Sequence, residues 1–182
     1  MTYTPISPLI ANPYPDRWTS VSDLRFETPL LLARAEKAIP MAGSREAQYI
    51  VAAPYTVSYL LDEQAPRQRL TVPAGMLTDL ASVPAVARWF VGRVGPHLEA
   101  AILHDYLFVA WQELEGHGAR SRDFAFANAL MMAAMKAAGV QPMHRRIIHL
   151  AVSSPIGRLV YWKQNPPPRF VTLPADLGSQ PG

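Results

Sequence analysis

The segment Ala100-Ala101-Ile102-Leu103-His104-Asp105-Tyr106-Leu107 sets an imidazole and a carboxylate side by side inside an otherwise apolar run. An ionised aspartate in such surroundings must be paired, hydrogen-bonded or bound to a metal, because desolvating a lone charge is very costly. Adjacent residues on a helix point about 100° apart, so His104 and Asp105 do not face each other, although both can look into one cleft. His97 lies two helical turns earlier, near the same face. A second polar set, Thr78-Asp79-Leu80-Ala81-Ser82-Val83-Pro84, follows the turn Pro73-Ala74-Gly75. Asp79, His104 and Asp105, with His97 as a weaker fourth, offer nitrogen and oxygen donors suited to a hard or borderline divalent ion. That ion would be the cofactor of a hydrolase in which a bound water attacks. A structural reading stands level with this chemistry. Asp79 or Ser82 could cap a helix that begins near Pro84, and His104 and Asp105 could be a buried brace tying their helix to the Thr78–Pro84 loop.

The elements that would position these residues change character along the chain. Leu24-Arg25-Phe26-Glu27 reads as a strand, followed by the apolar run Leu30-Leu31-Leu32, and Ala33 to Arg45 stays ambiguous. Tyr49-Ile50-Val51 and Tyr55 to Leu60 are β-branched and aromatic, punctuated by Pro54, and predict two strands or one kinked strand. Asp62 to Arg67 reads as a turn and Gln68 to Val72 as another strand. Beyond Pro84 the pattern is helical: Pro84 to Val91, then Pro96 to Trp111 with Pro96 in the first turn. Gly116-His117-Gly118 breaks that helix. Ser121 is placed to cap a third, from Arg122 to Ala138, with Gly139 just past its end. Met143 to Trp162 is a fourth, bent at Pro155 and Gly157. Strands first and helices after predict an α+β domain over residues 21–163, with N-terminal antiparallel strands followed by a bundle of three to four helices.

Eighteen of the 182 residues are proline, about twice the ordinary ~5%. They crowd the ends, which predicts extended arms over 1–20 and 164–182 that dock on neighbouring subunits. Cysteine is absent, so thiolate metal sites, disulfides and cysteine nucleophiles are excluded. The net charge is +3, and the basic residues are scattered, which argues against a dedicated nucleic-acid groove. Arg120/Arg122 and Arg145/Arg146 read as solvated helix faces. His144 and His149, five apart, spread round a helix and read as exposed. Met131, Met132, Met135 and Met143 form a soft patch that fills a core or suits adaptable protein contacts. No run reaches the ~18 apolar residues of a membrane helix and no signal peptide is visible, so the expectation is a soluble protein made in the cytoplasm.

Three blocks carry a family resemblance: Val72-Pro73-Ala74-Gly75-Met76-Leu77-Thr78-Asp79-Leu80-Ala81-Ser82-Val83-Pro84, then Ala100 to Leu107, then Ala134-Met135-Lys136-Ala137-Ala138-Gly139-Val140. In order and spacing the first two resemble the domain of unknown function 1353 family, over about residues 70 to 160; the third is generic helix. The family is common in tailed bacteriophages and prophages. The resemblance marks Thr78, Asp79, His104 and Asp105 as the signature, with Ser82, Pro84 and Tyr106 inside the same blocks. It also implies an Asp shortly before the Ala-Met block, where this chain has Asn128; Asp123 lies five residues off. An Asn can coordinate through its carbonyl oxygen but brings no charge. HD-type phosphohydrolases share the Leu-His-Asp core but need a helical bundle with further ligands, which the strand-rich first half does not fit.

The resemblance implies a phage-encoded virion structural protein, tail-associated or at a tail joint, made in the host cytoplasm and assembled with other phage structural proteins into an oligomeric particle. The alternative from another class is a metal-dependent hydrolase of the cell envelope or of a phosphoester, and a small factor acting against host defences is a third.

Overall fold

The structure is a computed structural model that describes residues 3–40, 46–79, 97–164 and 168–173. Three small antiparallel sheets are present among the described residues. One joins β2 (Val21–Phe26), β5 (Tyr55–Leu61) and β6 (Gln64–Val72); a second joins β3 (Leu32–Pro40), β4 (Glu46–Val51) and β7 (Leu77–Thr78); a third pairs β1 (Pro5–Ile6) with β8 (Phe170–Val171). Four helices follow β7 among the described residues: α1 (Leu98–Ala110), α2 (Ser121–Ala137), α3 (Pro142–Val152) and α4 (Pro155–Trp162). The class is therefore α+β, as the succession of patterns predicts.

The strands form where side chains can alternate between core and solvent. Tyr55, Val57 and Tyr59 of β5 and Leu70 and Val72 of β6 are buried. Ser58 is also buried, and its hydroxyl donates to Glu27 and accepts from Arg67 Nε at 3.1 Å. The β5–β6 hairpin turns on Asp62 and Glu63, with φ of 54° and 60°. Two successive left-handed residues are what a tight type I′ hairpin requires, so β6 starts at Gln64, four residues before the sequence pattern suggests. The ambiguous stretch after Leu31 becomes β3, and Pro54 separates two strands, β4 and β5, instead of kinking one.

The helices bear on the expected caps and breaks. Ser121 is not a cap: the N-cap of α2 is Arg120, without a side-chain cap, and the Ser121 hydroxyl accepts from Arg158 Nη2 at 2.9 Å. Gly139 has φ +73° just past α2, the left-handed residue that ends a helix. The long fourth helix is two: Ser154 caps α4 by accepting from Gly157 N at 3.2 Å. The expected helix at Pro84–Val91, the Ser82 and Pro84 positions and Pro96 lie outside the described residues. So does most of the C-terminal arm.

The N-terminal stretch is extended but not bare. Tyr14 is 5% exposed. Its hydroxyl donates to the Leu107 carbonyl and accepts from Trp111 N at 3.2 Å, which serves backbone groups in the last turn of α1. Asp62 Oδ1 accepts from Thr19 N at 2.8 Å, the Thr19 hydroxyl at 2.7 Å and Ser20 N at 2.7 Å; these donors, the Thr19 hydroxyl first, hold the Asp62 carboxyl below its ordinary range. Arg169 and Ser7 both reach Glu113, at 2.6 and 2.8 Å. The stretch is thus anchored at Ser7, Tyr14, Thr19 and Ser20, with Tyr14 its one buried residue among those described and Leu9 fully exposed.

Gly75 is where these pieces cross. Its N–H donates to Val51 O at 2.8 Å and its carbonyl accepts from Val171 N at 2.9 Å. Its φ is +86°, and a Cβ there would sit 2.2 Å from Val171 O. Gly75→Ala is therefore expected to lower stability by about 2 kcal/mol or more, measured by urea unfolding. An unchanged midpoint would contradict the described crossing of β4, β7 and β8.

Candidate functional site

Helix α1 carries the candidate residues between two neighbours. Eight of its residues are buried, among them Ala100, Ile102, Leu103 and Leu107, and it packs along α2, which lies in turn against β2. The short strand β7, placed by its pairing with β4 at Tyr49↔Thr78, approaches α1 at another point. Polar groups on such a helix need partners within the protein.

His104 turns toward α2. Its Nε2 lies 2.9 Å from Asn128 Oδ1, and the residue is 2% exposed. With an amide oxygen as acceptor, Nε2 carries the hydrogen and Nδ1 is the bare nitrogen. Nδ1 is buried and meets no hydrogen-bonding group among the described residues. The ring packs on Phe108 with centroids 4.0 Å apart. Burial pushes the His104 pKa down to about 4; the Asn128 hydrogen bond opposes that shift and the nearby charge of His149 adds to it. The ring is therefore neutral near pH 7.

Asp105 turns toward β7. Its Oδ2 accepts from the Thr78 hydroxyl at 3.0 Å. Thr78 is 2% exposed, while Asp79 and Asp105 are half-buried, and all three have further contacts. His97 is buried just before α1, where its carbonyl accepts from Ala101 N at 2.9 Å; this residue, too, has a further contact. Tyr106, from the same block, is a core residue, 2% exposed.

The structure thus joins Thr78 to Asp105 and His104 to Asn128. Among the described residues, no three His, Asp or Glu side chains are grouped so as to hold a metal ion. A brace is present, but it is divided: Asp105 reaches the Thr78 strand and His104 reaches a different helix. Asn128, noted only as a departure from the family pattern, is the direct partner of the signature histidine.

Sequence reasoning missed a second buried polar pair. His117 Nε2 lies 2.7 Å from Asp123 Oδ2, with side chains 9% and 5% exposed. The His117 ring stacks on Tyr14 at 5.2 Å. The signal was a histidine in a glycine-flanked break, six residues before an acid in the first turn of the next helix, where a carboxylate suits the helix dipole. His144 and His149 are half-buried, not fully exposed, because α3 packs on α2.

A family model described as "Protein of unknown function (DUF1353)" matches residues 55–152, from β5 to the end of α3. No curated protein and no solved structure matches the chain.

The depressed His104 pKa fixes a pH dependence. As pH falls, the unfolded chain takes up this proton near the ordinary 6.5, while the folded chain does so only near 4. Stability from this group is therefore complete above about pH 6.5 and is lost as pH falls toward 4. The loss expected by about pH 5 is about 2 kcal/mol. His104→Gln keeps a donor toward Asn128 without a titrating ring, so urea unfolding should show a flatter pH response in that window. Equal responses would contradict a sealed, neutral His104. Asn128→Ala should cost about 1–3 kcal/mol at neutral pH, since it strands the Nε2 hydrogen.

Proposed function

Since the chain belongs to the family described as "Protein of unknown function (DUF1353)", a description that brings no reaction with it, we propose that it acts as a structural component of a phage particle, tail-associated or at a tail joint. The observation that carries this reading is the use made of the signature. His104 is sealed and bonded to Asn128, and Asp105 is bonded to Thr78. A histidine that acts on a substrate must come within reach of the proton it moves, and a ring 2% exposed is better suited to holding α1 against α2. The phage origin rests on the resemblance of the Val72–Pro84 and Ala100–Leu107 blocks.

A second feature supports an assembly role. Met143, Leu150, Ile156 and Leu159, on the last two helices, are each 68–74% exposed. Large apolar side chains gathered on exposed elements mark contact surfaces more often than they mark chemistry. The proline-rich ends were expected to reach neighbouring subunits; Pro5 and Ile6 of the N-terminal one pair with Val171 and Phe170 and its Tyr14 is bonded to α1, while Leu9 between them is fully exposed. In this reading the neighbour contacts fall to the helical face. No helix among the described residues is long and apolar enough to cross a membrane.

Quantitative mass spectrometry of purified particles tests the proposal, with the protein expected in fixed copy number. Its absence from particles would sink the reading. A stoichiometric divalent ion in the purified protein, lost in Asp105→Asn, would favour the metal-dependent hydrolase instead.

A further inference from the structure

Helices α2 and α3, with Val21 of β2, line a groove of about 490 Å³. Each helix presents one face to it. From α2 come Ala129, Met132, Ala133 and Lys136; from α3 come Arg145, Arg146 and His149, behind Pro142. Both sets follow the i, i+3, i+4, i+7 spacing of a single helical face. The floor is therefore apolar and the wall cationic.

No carboxylate lines the groove, and the chain has no Asp or Glu between Phe124 and Gln164. The ion pairs among the described residues lie elsewhere, at Asp23, Asp123 and Glu113. Lys136, Arg145 and Arg146 thus face one concave surface with no carboxylate among the described residues that line it. The exposed side chains of Met143 and Leu150 flank Arg146 on α3, three and four residues away, and extend the same surface.

The chemistry discriminates among anionic occupants. A phosphate is best held by backbone N–H groups at a helix start or a glycine nest, but α3 begins with Pro142, which has no N–H. A nucleic-acid strand would need successive aromatic platforms for its bases, and no Phe, Tyr or Trp lines the groove. Small apolar side chains from outside would seat on Ala129, Met132 and Ala133, where methionine adapts to varied shapes. Carboxylates beside them would reach the Lys136 and Arg pairs, with Arg offering bidentate geometry. We infer that this groove receives an acidic amphipathic helical segment of a partner protein, laid between α2 and α3 with its apolar side down.

The inference rests on the reading of the chain as an assembly component, and it names where and by what chemistry the neighbour docks. The groove also adjoins the signature. His149 lines it and is close enough for its charge to act on His104, and the α2 wall of the groove belongs to the helix that the His104–Asn128 bond holds against α1.

The test uses the full chain and two labelled synthetic helical peptides. They share Leu and Ala at the apolar positions; one carries Glu at the polar positions and the other Lys. Fluorescence anisotropy should show binding of the Glu peptide alone, weakened about tenfold or more in Arg145→Gln/Arg146→Gln and weakened by added salt. Amide shifts on binding should fall on residues 129–136 and 145–149. Thermal unfolding of the double variant should match the parent, which separates lost binding from lost folding. No binding, equal binding of the Lys peptide, or indifference to the double substitution would overturn the inference. So would inorganic pyrophosphate or a single-stranded oligonucleotide that displaces the Glu peptide at matched ionic strength. Binding of the Glu peptide by a protein absent from particles would remove the virion reading and leave the groove standing.

Discussion

The hydrogen bond between His104 Nε2 and Asn128 Oδ1, 2.9 Å long, joins two helices whose facing sides are otherwise apolar. In that setting an unpaired polar group costs about 1–3 kcal/mol, so the bond fixes which face of α1 meets which face of α2. Asp105, one position on and about 100° round the helix, is thereby turned toward β7, where Thr78 meets it at 3.0 Å. One pair of adjacent polar residues thus registers α1 against both the sheet side and the helical side. The apolar contacts of Leu103, Leu107, Phe126, Leu130 and Met131, all in the same core, supply the bulk of the burial; the polar pair makes one arrangement of it preferred.

The ends of the chain follow the same rule. Tyr14 brings the N-terminal stretch to the last turn of α1, and its ring lies on His117, which holds Asp123 at the start of α2. Glu113, just past α1, gathers Ser7 and Arg169, and β1 pairs with β8. The α1–α2 connection is therefore pinned from outside by both terminal segments. Beyond this braced and clamped helix pair, α3 and α4 carry exposed apolar side chains at Met143, Leu150, Ile156 and Leu159.

Much of this was legible in the sequence. Periodicity located α1 to within two residues at its start, Gly139 ended α2 as glycine does, and the change from strand to helix character gave the class. The Val72–Pro84 and Ala100–Leu107 blocks gave the family. What could not be read was direction. Spacing shows that His104 and Asp105 diverge, but only packing decides that one meets Asn128 on α2 and the other Thr78 on β7. Asn128 itself looked like a lost ligand because its partner is 24 residues away and no local pattern links them. The composition of residues 1–20 suggested an extended arm, and nothing in it marked Tyr14 as the residue that seats on α1. The basic groove escaped because Lys136 and Arg145 belong to different helices, and scattered charges in sequence converge only once α2 and α3 pack.

His104 acts as a neutral internal brace between α1 and α2. Nitrogen-15 NMR of the imidazole tests that directly, during a titration with and without added zinc or manganese. The expected spectrum is a neutral ring with its hydrogen on Nε2, unchanged down to about pH 5 and indifferent to metal. A ring that charges near its ordinary 6.5, or whose nitrogen shifts move on metal addition, would contradict the account and return the Thr78–Asp105 region to chemistry.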